Sequence, residues 1–117
     1  MENLWYETLK VLNNNEHSWD DVLYVACDDF MITKENFEEI AKATDYDDSF
    51  GGTDVADDLV IIGDNWWLSR DEYDGSEWWR YNEKPDVSKF DTIKISKLAE
   101  HWGGEKGLQL MNNIHRL

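Results

Sequence analysis

Apolar positions recur with helical spacing over residues 2–12. Leu4, Trp5, Leu9 and Leu12 form a stripe there, with Glu2, Glu7 and Lys10 off it. Asn13-Asn14-Asn15 then breaks the pattern as a loop. Val22 to Cys27 is a short apolar run rich in β-branched and aromatic residues and predicts a strand, with a second over Phe30–Ile32. Thr33 is placed to cap a helix over Lys34–Ala43, with Glu35 in its first turn and Phe37, Ile40 and Ala41 facing inward. Asp45 to Thr53, with its three Asp and Gly51-Gly52, reads as a loop, followed by a helical turn over Asp54–Asp57. Leu59-Val60-Ile61-Ile62 predicts a buried strand, and Gly63-Asp64-Asn65 turns the chain.

Trp66–Tyr73 and Glu77–Asn82 form the arms of a hairpin around Asp74-Gly75, a dipeptide suited to the positive φ angles of a type I′ turn. That turn sets Leu68 opposite Tyr81, Arg70 opposite Trp79 and Glu72 opposite Glu77. Two carboxylates directly across a ladder repel, so either the loop is longer or a cation sits beside one of them. After Lys84-Pro85-Asp86 the pattern predicts a strand over Thr92–Ile95, a helix from Ser96 to Trp102 ended by Gly103-Gly104, and a last helix over 105–116 carrying Leu110 and Ile114. The order predicts an α+β fold: a small antiparallel β-sheet with a Trp-rich hairpin, covered by N- and C-terminal helices.

Composition adds a constraint that periodicity does not carry. The chain has 117 residues, the length of one domain, with net charge −15. Residues 28–77 hold sixteen acids against Lys34, Lys42 and Arg70, whereas residues 84–117 hold six bases and four acids. Disordered acidic chains are poor in aromatics; this one is 14% aromatic, so an ordered domain, residues 1–117, with a carboxylated surface is expected. The charge argues against direct nucleic-acid binding, which needs a Lys/Arg footprint, and against docking on anionic membranes. No apolar run approaches the roughly 20 residues of a membrane span, and the start lacks the basic and apolar segments of a signal peptide. With the lone Cys27, this leads to an expected cytoplasmic location.

Motifs for catalysis are missing. His17, His101 and His115 have no metal-ligand spacing, and there is no nucleophile elbow, phosphate loop or dinucleotide fingerprint. Cys27 ends an apolar run and reads as packing. Asp45, Asp47 and Ser49 begin like a calcium loop, but the sixth position is Phe50 and the twelfth Ala56. Asp57, Asp58, Asp64 and Glu72 could serve a carboxylate-metal hydrolase, though no spacing singles them out. No enzyme activity, metal or cofactor is expected.

The paired tryptophans carry the remaining signal. In a strand, neighbours point to opposite faces, so one ring of Trp66/Trp67 and one of Trp78/Trp79 should enter the core, leaving the other as outer-face packing or as an interface anchor. The stretch LVIIGDNWWL at 59–68 and EYDGSEWW at 72–79, with DYDDSFGG at 45–52 and DVLYV at 21–25, resembles a family of small acidic proteins of phages and prophages of Gram-positive bacteria. The likeness spans about residues 18–85 and implies no reaction and no catalytic residues. By size, charge and phage character the chain further resembles anti-CRISPR proteins, many of which inhibit Cas9. That implies a bacterial host cytoplasm and a basic nucleic-acid-binding partner, Cas9 first, whose positively charged channel an acidic surface would occupy. The phosphate-like face is expected from Asp45, Asp47, Asp48, Asp54, Asp57, Asp58, Asp64, Asp71, Glu72, Asp74 and Glu77, with Trp67 or Trp78 as anchor. An immunity protein against a basic nuclease toxin would use the same surface.

Overall fold

The structure, a computed structural model, describes residues 1–48, 52–100 and 107–114. The chain divides into two compact units, Met1–Pro85 and Asp86–Leu117. The first has a mixed α+β architecture. Its elements run β1 (Glu2–Asn3), α1 (Leu4–Asn14), a 3-10 turn (Trp19–Asp21), β2 (Tyr24–Ala26), β3 (Met31–Ile32), α2 (Lys34–Lys42), β4 (Asp45–Tyr46), β5 (Val60–Ile62), β6 (Trp66–Tyr73) and β7 (Ser76–Glu83).

Five strands make an antiparallel sheet in the order β3-β2-β5-β6-β7, and β1 pairs with β4 beside it. The hairpin has the predicted register: Leu68 faces Tyr81, Arg70 faces Trp79 and Glu72 faces Glu77. Its loop is the two-residue form, with Asp74 at φ 50° and Gly75 at φ 85°, values that splay neither strand. Gly63 has a different role. The indole of Trp66 lies against its α-carbon, so a side chain there would collide with the ring.

Both helices cover one face of the sheet. Leu4, Trp5 and Leu12 of α1 and Phe37 and Ala41 of α2 pack with Val25, Ile61, Trp66, Leu68 and Trp79 in one core. Asn3 caps α1 by accepting the N–H groups of Trp5 and Tyr6, and Thr33 caps α2 through Asn36 N–H. Thr8, a polar residue on the apolar stripe, is fully buried. Its hydroxyl donates to Leu4 O (2.7 Å) and accepts Trp79 Nε1–H (2.9 Å), so both polar groups are satisfied inside the core. At the far end of the hairpin His17 stacks on Trp66 with ring centroids 4.2 Å apart, and its Nε2 lies 3.1 Å from Tyr81 Oη.

Several local expectations are corrected. Asp45–Tyr46 is strand rather than loop, because β1 supplies a pairing partner. Residues 54–57 form no helix; the N–H groups of Asp54 and Val55 are taken by a side chain from the hairpin. Ile40 is exposed, because α2 turns only Phe37 and Ala41 into the core. Cys27 is half-buried in the β2–β3 turn.

In the second unit, residues 92–95 are not strand and 96–100 not helix. The side chain of Asn112 accepts the N–H groups of Ser96 and Lys97, which a helix would have left to a cap. The last helix is the four residues Leu108–Met111, α3. His101, Trp102, Gly103-Gly104, residues 105–106 and 115–116, and Ser49, Phe50 and Gly51 of the calcium-like stretch lie outside the described residues.

Candidate functional site

Strand register decides where the acids gather. β2 ends at Ala26, which pairs with Val60 at the start of β5, and Val60 in turn pairs with Ser69 just before Arg70 and Asp71. The segments that run off this one end of the sheet are therefore the β2–β3 turn with Asp28 and Asp29, the approach to β5 with Asp57 and Asp58, and the hairpin tip with Asp71, Glu72 and Asp74. Asp58 Oδ2 accepts Asp28 N–H at 3.4 Å, which ties two of these segments together. Asp57, Asp71 and Glu72 share the wall of one cavity of about 130 Å³. Arg80, 3.7 Å from Asp71, pairs with it on the exposed face, and Arg70 lines the same cavity from below.

The buried side of the same end explains how such a cluster is held. Arg70 and Glu77 project inward, with side chains only 3% and 2% exposed and 2.9 Å apart. Arg70 also binds Glu7 of α1 at 3.1 Å and lies 4.7 Å from the Trp79 ring. Tyr46 Oη donates to Glu7 at 2.7 Å, and Arg70 Nη2 donates to Tyr46 Oη at 3.3 Å. Desolvation is the strongest influence on Glu7 and outweighs its Tyr46 and Arg70 partners, leaving its pKa raised. Burial and then the Glu7 hydrogen bond push the Tyr46 phenol upward too, so it remains a donor. The two oxygens of Glu77 take up Asp54 N–H (2.6 Å) and Val55 N–H (3.2 Å), while Glu77 N–H donates to Asp48 O (3.1 Å). One buried residue, Glu77, thus fastens both flanks of the 48–55 segment to the hairpin, holding Asp48 through its backbone N–H and Asp54–Val55 through its carboxylate. Arg70 answers the question posed by Glu72 facing Glu77: the cation is present, and the loop stays short.

Two expected surface acids are relocated. Glu77 is a buried strut, not part of an outer face. Asp64 lies in the β5–β6 turn, beyond the Ile62–Trp67 pair and hence at the opposite end of the sheet. Asp45 is exposed next to β1, where its carboxylate accepts Asn3 Nδ2–H at 2.8 Å. Asp47 and Asp48 are half-buried and Asp54 is exposed. Asp28 and Asp29 were missed by sequence reasoning, since a turn between two short strands carries no motif; only the pairing of β2 with β5 reveals their position.

The tryptophans divide as alternation requires. Trp66 and Trp79 are buried, while Trp67 and Trp78 are 40% and 38% exposed. The exposed pair shares the face of the sheet away from the helices. Trp78 stands opposite Asp71 at the acidic end, and Trp67 opposite Asn82 toward the other. Two ladder steps on that face separate them, about 13 Å. Tyr24 and Ile62 lie in the same row as Trp67.

No protein-family model matches the chain, and no curated protein or solved structure is significantly similar to it. Among the described residues no three His, Cys, Asp or Glu side chains converge to hold a metal ion. The four hydrolase candidates fail to meet for a simple reason: Asp64 is at one end of the sheet and Asp57, Asp58 and Glu72 at the other. No helix of the described residues is long and apolar enough to cross a membrane.

Proposed function

We propose that this protein is a binding protein, not an enzyme, and acts as an acidic decoy for the nucleic-acid-binding surface of a basic partner. The observation that carries the reading is the clustering of Asp28, Asp29, Asp57, Asp58, Asp71, Glu72 and Asp74 at one end of a sheet, braced by the buried Arg70–Glu77 pair. Preorganised anions of this kind exchange counterions with a cationic groove as a phosphate backbone does and speed encounter by long-range attraction. Trp78, exposed beside Asp71, supplies the aromatic anchor that interfaces favour. The likeness of the paired-Trp hairpin to small phage proteins makes Cas9 the first partner to test. The protein would then act as an anti-CRISPR inhibitor that blocks guide RNA or target DNA.

The test is binding of the full chain to Cas9, with and without guide RNA, across a salt series. The expected result is affinity that falls steeply and linearly on a log–log plot against salt, together with loss of DNA cleavage. Tight binding that ignores salt would overturn the decoy mechanism. No binding to either form would remove Cas9 as the target.

A further inference from the structure

Strand β7 lies at the edge of the sheet. Its alternation fixes which backbone groups point outward. Lys84 N–H donates to Asn65 O and Glu77 N–H donates away from β6 to Asp48 O. The residues bonded to β6 are therefore the even-numbered ones, and the N–H and C=O groups of Trp79, Tyr81 and Glu83 face away from the sheet. None of these three N–H groups meets a hydrogen-bond partner among the described residues. Exposed edges of this sort are usually blunted or covered. Here the Asp48 carbonyl caps the first outward position, and none of the described residues caps the next three.

Beside the Trp79 end of that row lies a groove of about 220 Å³, between Glu7, Lys10 and Asn14 of α1 and Asp48, Trp78 and Trp79. A groove between a helix and a sheet edge is the geometry in which an extended segment adds as a strand, with backbone bonds supplying affinity and side-chain surroundings supplying selectivity. Glu2 and Asp48 line the groove along with Lys10, while its Glu7 and Glu77 are turned toward the buried Arg70; Trp78 carries Asp71 opposite it on β6.

We propose that the β7 edge receives an extended, Lys/Arg-bearing segment of the partner protein as a sixth strand, paired to Trp79, Tyr81 and Glu83. A second copy of this chain is disfavoured as occupant by its own net charge of −15. The proposal rests on the reading of the protein as a binder of basic partners and specifies how one is gripped. Alternate side chains of the added strand fall beside Trp78 and Arg80 on the open face, so an aliphatic stem of Lys or Arg can lie along the Trp78 ring with its charge toward Asp71.

The experiment compares two probes on the 15N-labelled full chain. One is an acetylated, amidated eight-residue peptide alternating arginine and threonine; the other is spermine, a polycation with no peptide backbone. The expected result is that the peptide slows amide exchange at Trp79, Tyr81 and Glu83 by at least about tenfold, whereas spermine shifts only residues near Asp28, Asp57 and Glu72. Glu83→Pro removes one outward donor at a position where an edge strand tolerates proline. It should weaken the peptide more than Glu83→Gln does and leave spermine binding equal in the two variants. If peptide and spermine perturb the same acidic residues with the three amides unaffected, strand addition is wrong and the decoy reading stands. If neither probe perturbs the protein, both fall.

Discussion

Arg70 shows how much one side chain can decide. Three elements converge on it: Glu7 from α1, Glu77 from the hairpin and, through Glu77, the 54–55 backbone. A buried ion pair is not itself a large source of stability, but removing one partner strands the other charge. Arg70→Leu is therefore expected to lower stability by about 3–5 kcal/mol, read from urea unfolding, and to loosen the 48–55 segment. Glu7 behaves oppositely. Its pKa is raised above the ordinary 4.5, chiefly by burial, so the folded state holds the proton more tightly than the unfolded chain. The stability this contributes is present in full below pH 4.5 and is lost as pH rises through the folded value. Unfolding of Glu7→Gln from pH 4 to 8 should show a smaller loss with rising pH than the parent shows. An equal slope in both proteins would mean that Glu7 is ionised without penalty.

At the level of elements, the hairpin is the part most completely written in local residue choice. Asp74-Gly75 suits a two-residue turn, the turn sets the register, and the register puts Trp66 and Trp79 on one face and Trp67 and Trp78 on the other; the packing of α1 and α2 makes the first face the core. Because Gly75 holds φ 85°, Gly75→Ala should cost about 1–2 kcal/mol, visible as a lower melting temperature, while Asp74→Asn should be tolerated. Asn3 has a double role, capping α1 and bonding Lys42 O and Asp45. Asn3→Ala should cost about 1–2 kcal/mol in chemical unfolding. Helix α2 was legible from its Thr33 cap, but Ile40 was not, since a 3.6-residue stripe is wider than the strip the sheet covers. Residues 92–95 misled for a related reason. Alternation describes a strand only if a neighbour takes up its backbone bonds, and none among the described residues does.

Across the whole molecule, the distribution of charge matters more than its amount. Asp64 and Asp57 are equally acidic and both exposed, yet strand topology sends them to opposite ends. Partner binding should therefore be abolished by Asp57→Lys combined with Glu72→Lys and left nearly unchanged by Asp64→Lys, measured as affinity at fixed salt with circular dichroism confirming the fold. Equal loss from both would mean that net charge alone acts and that the organised acidic end has no role. Screening supports the expected contrast, since at physiological salt an exposed charge acts over about 8 Å.

What the chain determined by itself was short-range: the Thr33 cap of α2, where the hairpin turns, that one tryptophan of each pair enters the core, and that the negative charge is concentrated in the middle of the chain. These follow from residue periods, caps and turn angles, which extend over a few neighbours. Only the tertiary structure decided that Glu77 is an internal brace, that Asp28 and Asp29 join Asp57 and Glu72, that Asp64 does not, and that β7 is the last strand of its sheet. Each depends on the order in which strands far apart in sequence pair, and backbone hydrogen bonds, identical at every residue, leave no mark of that order in the side chains.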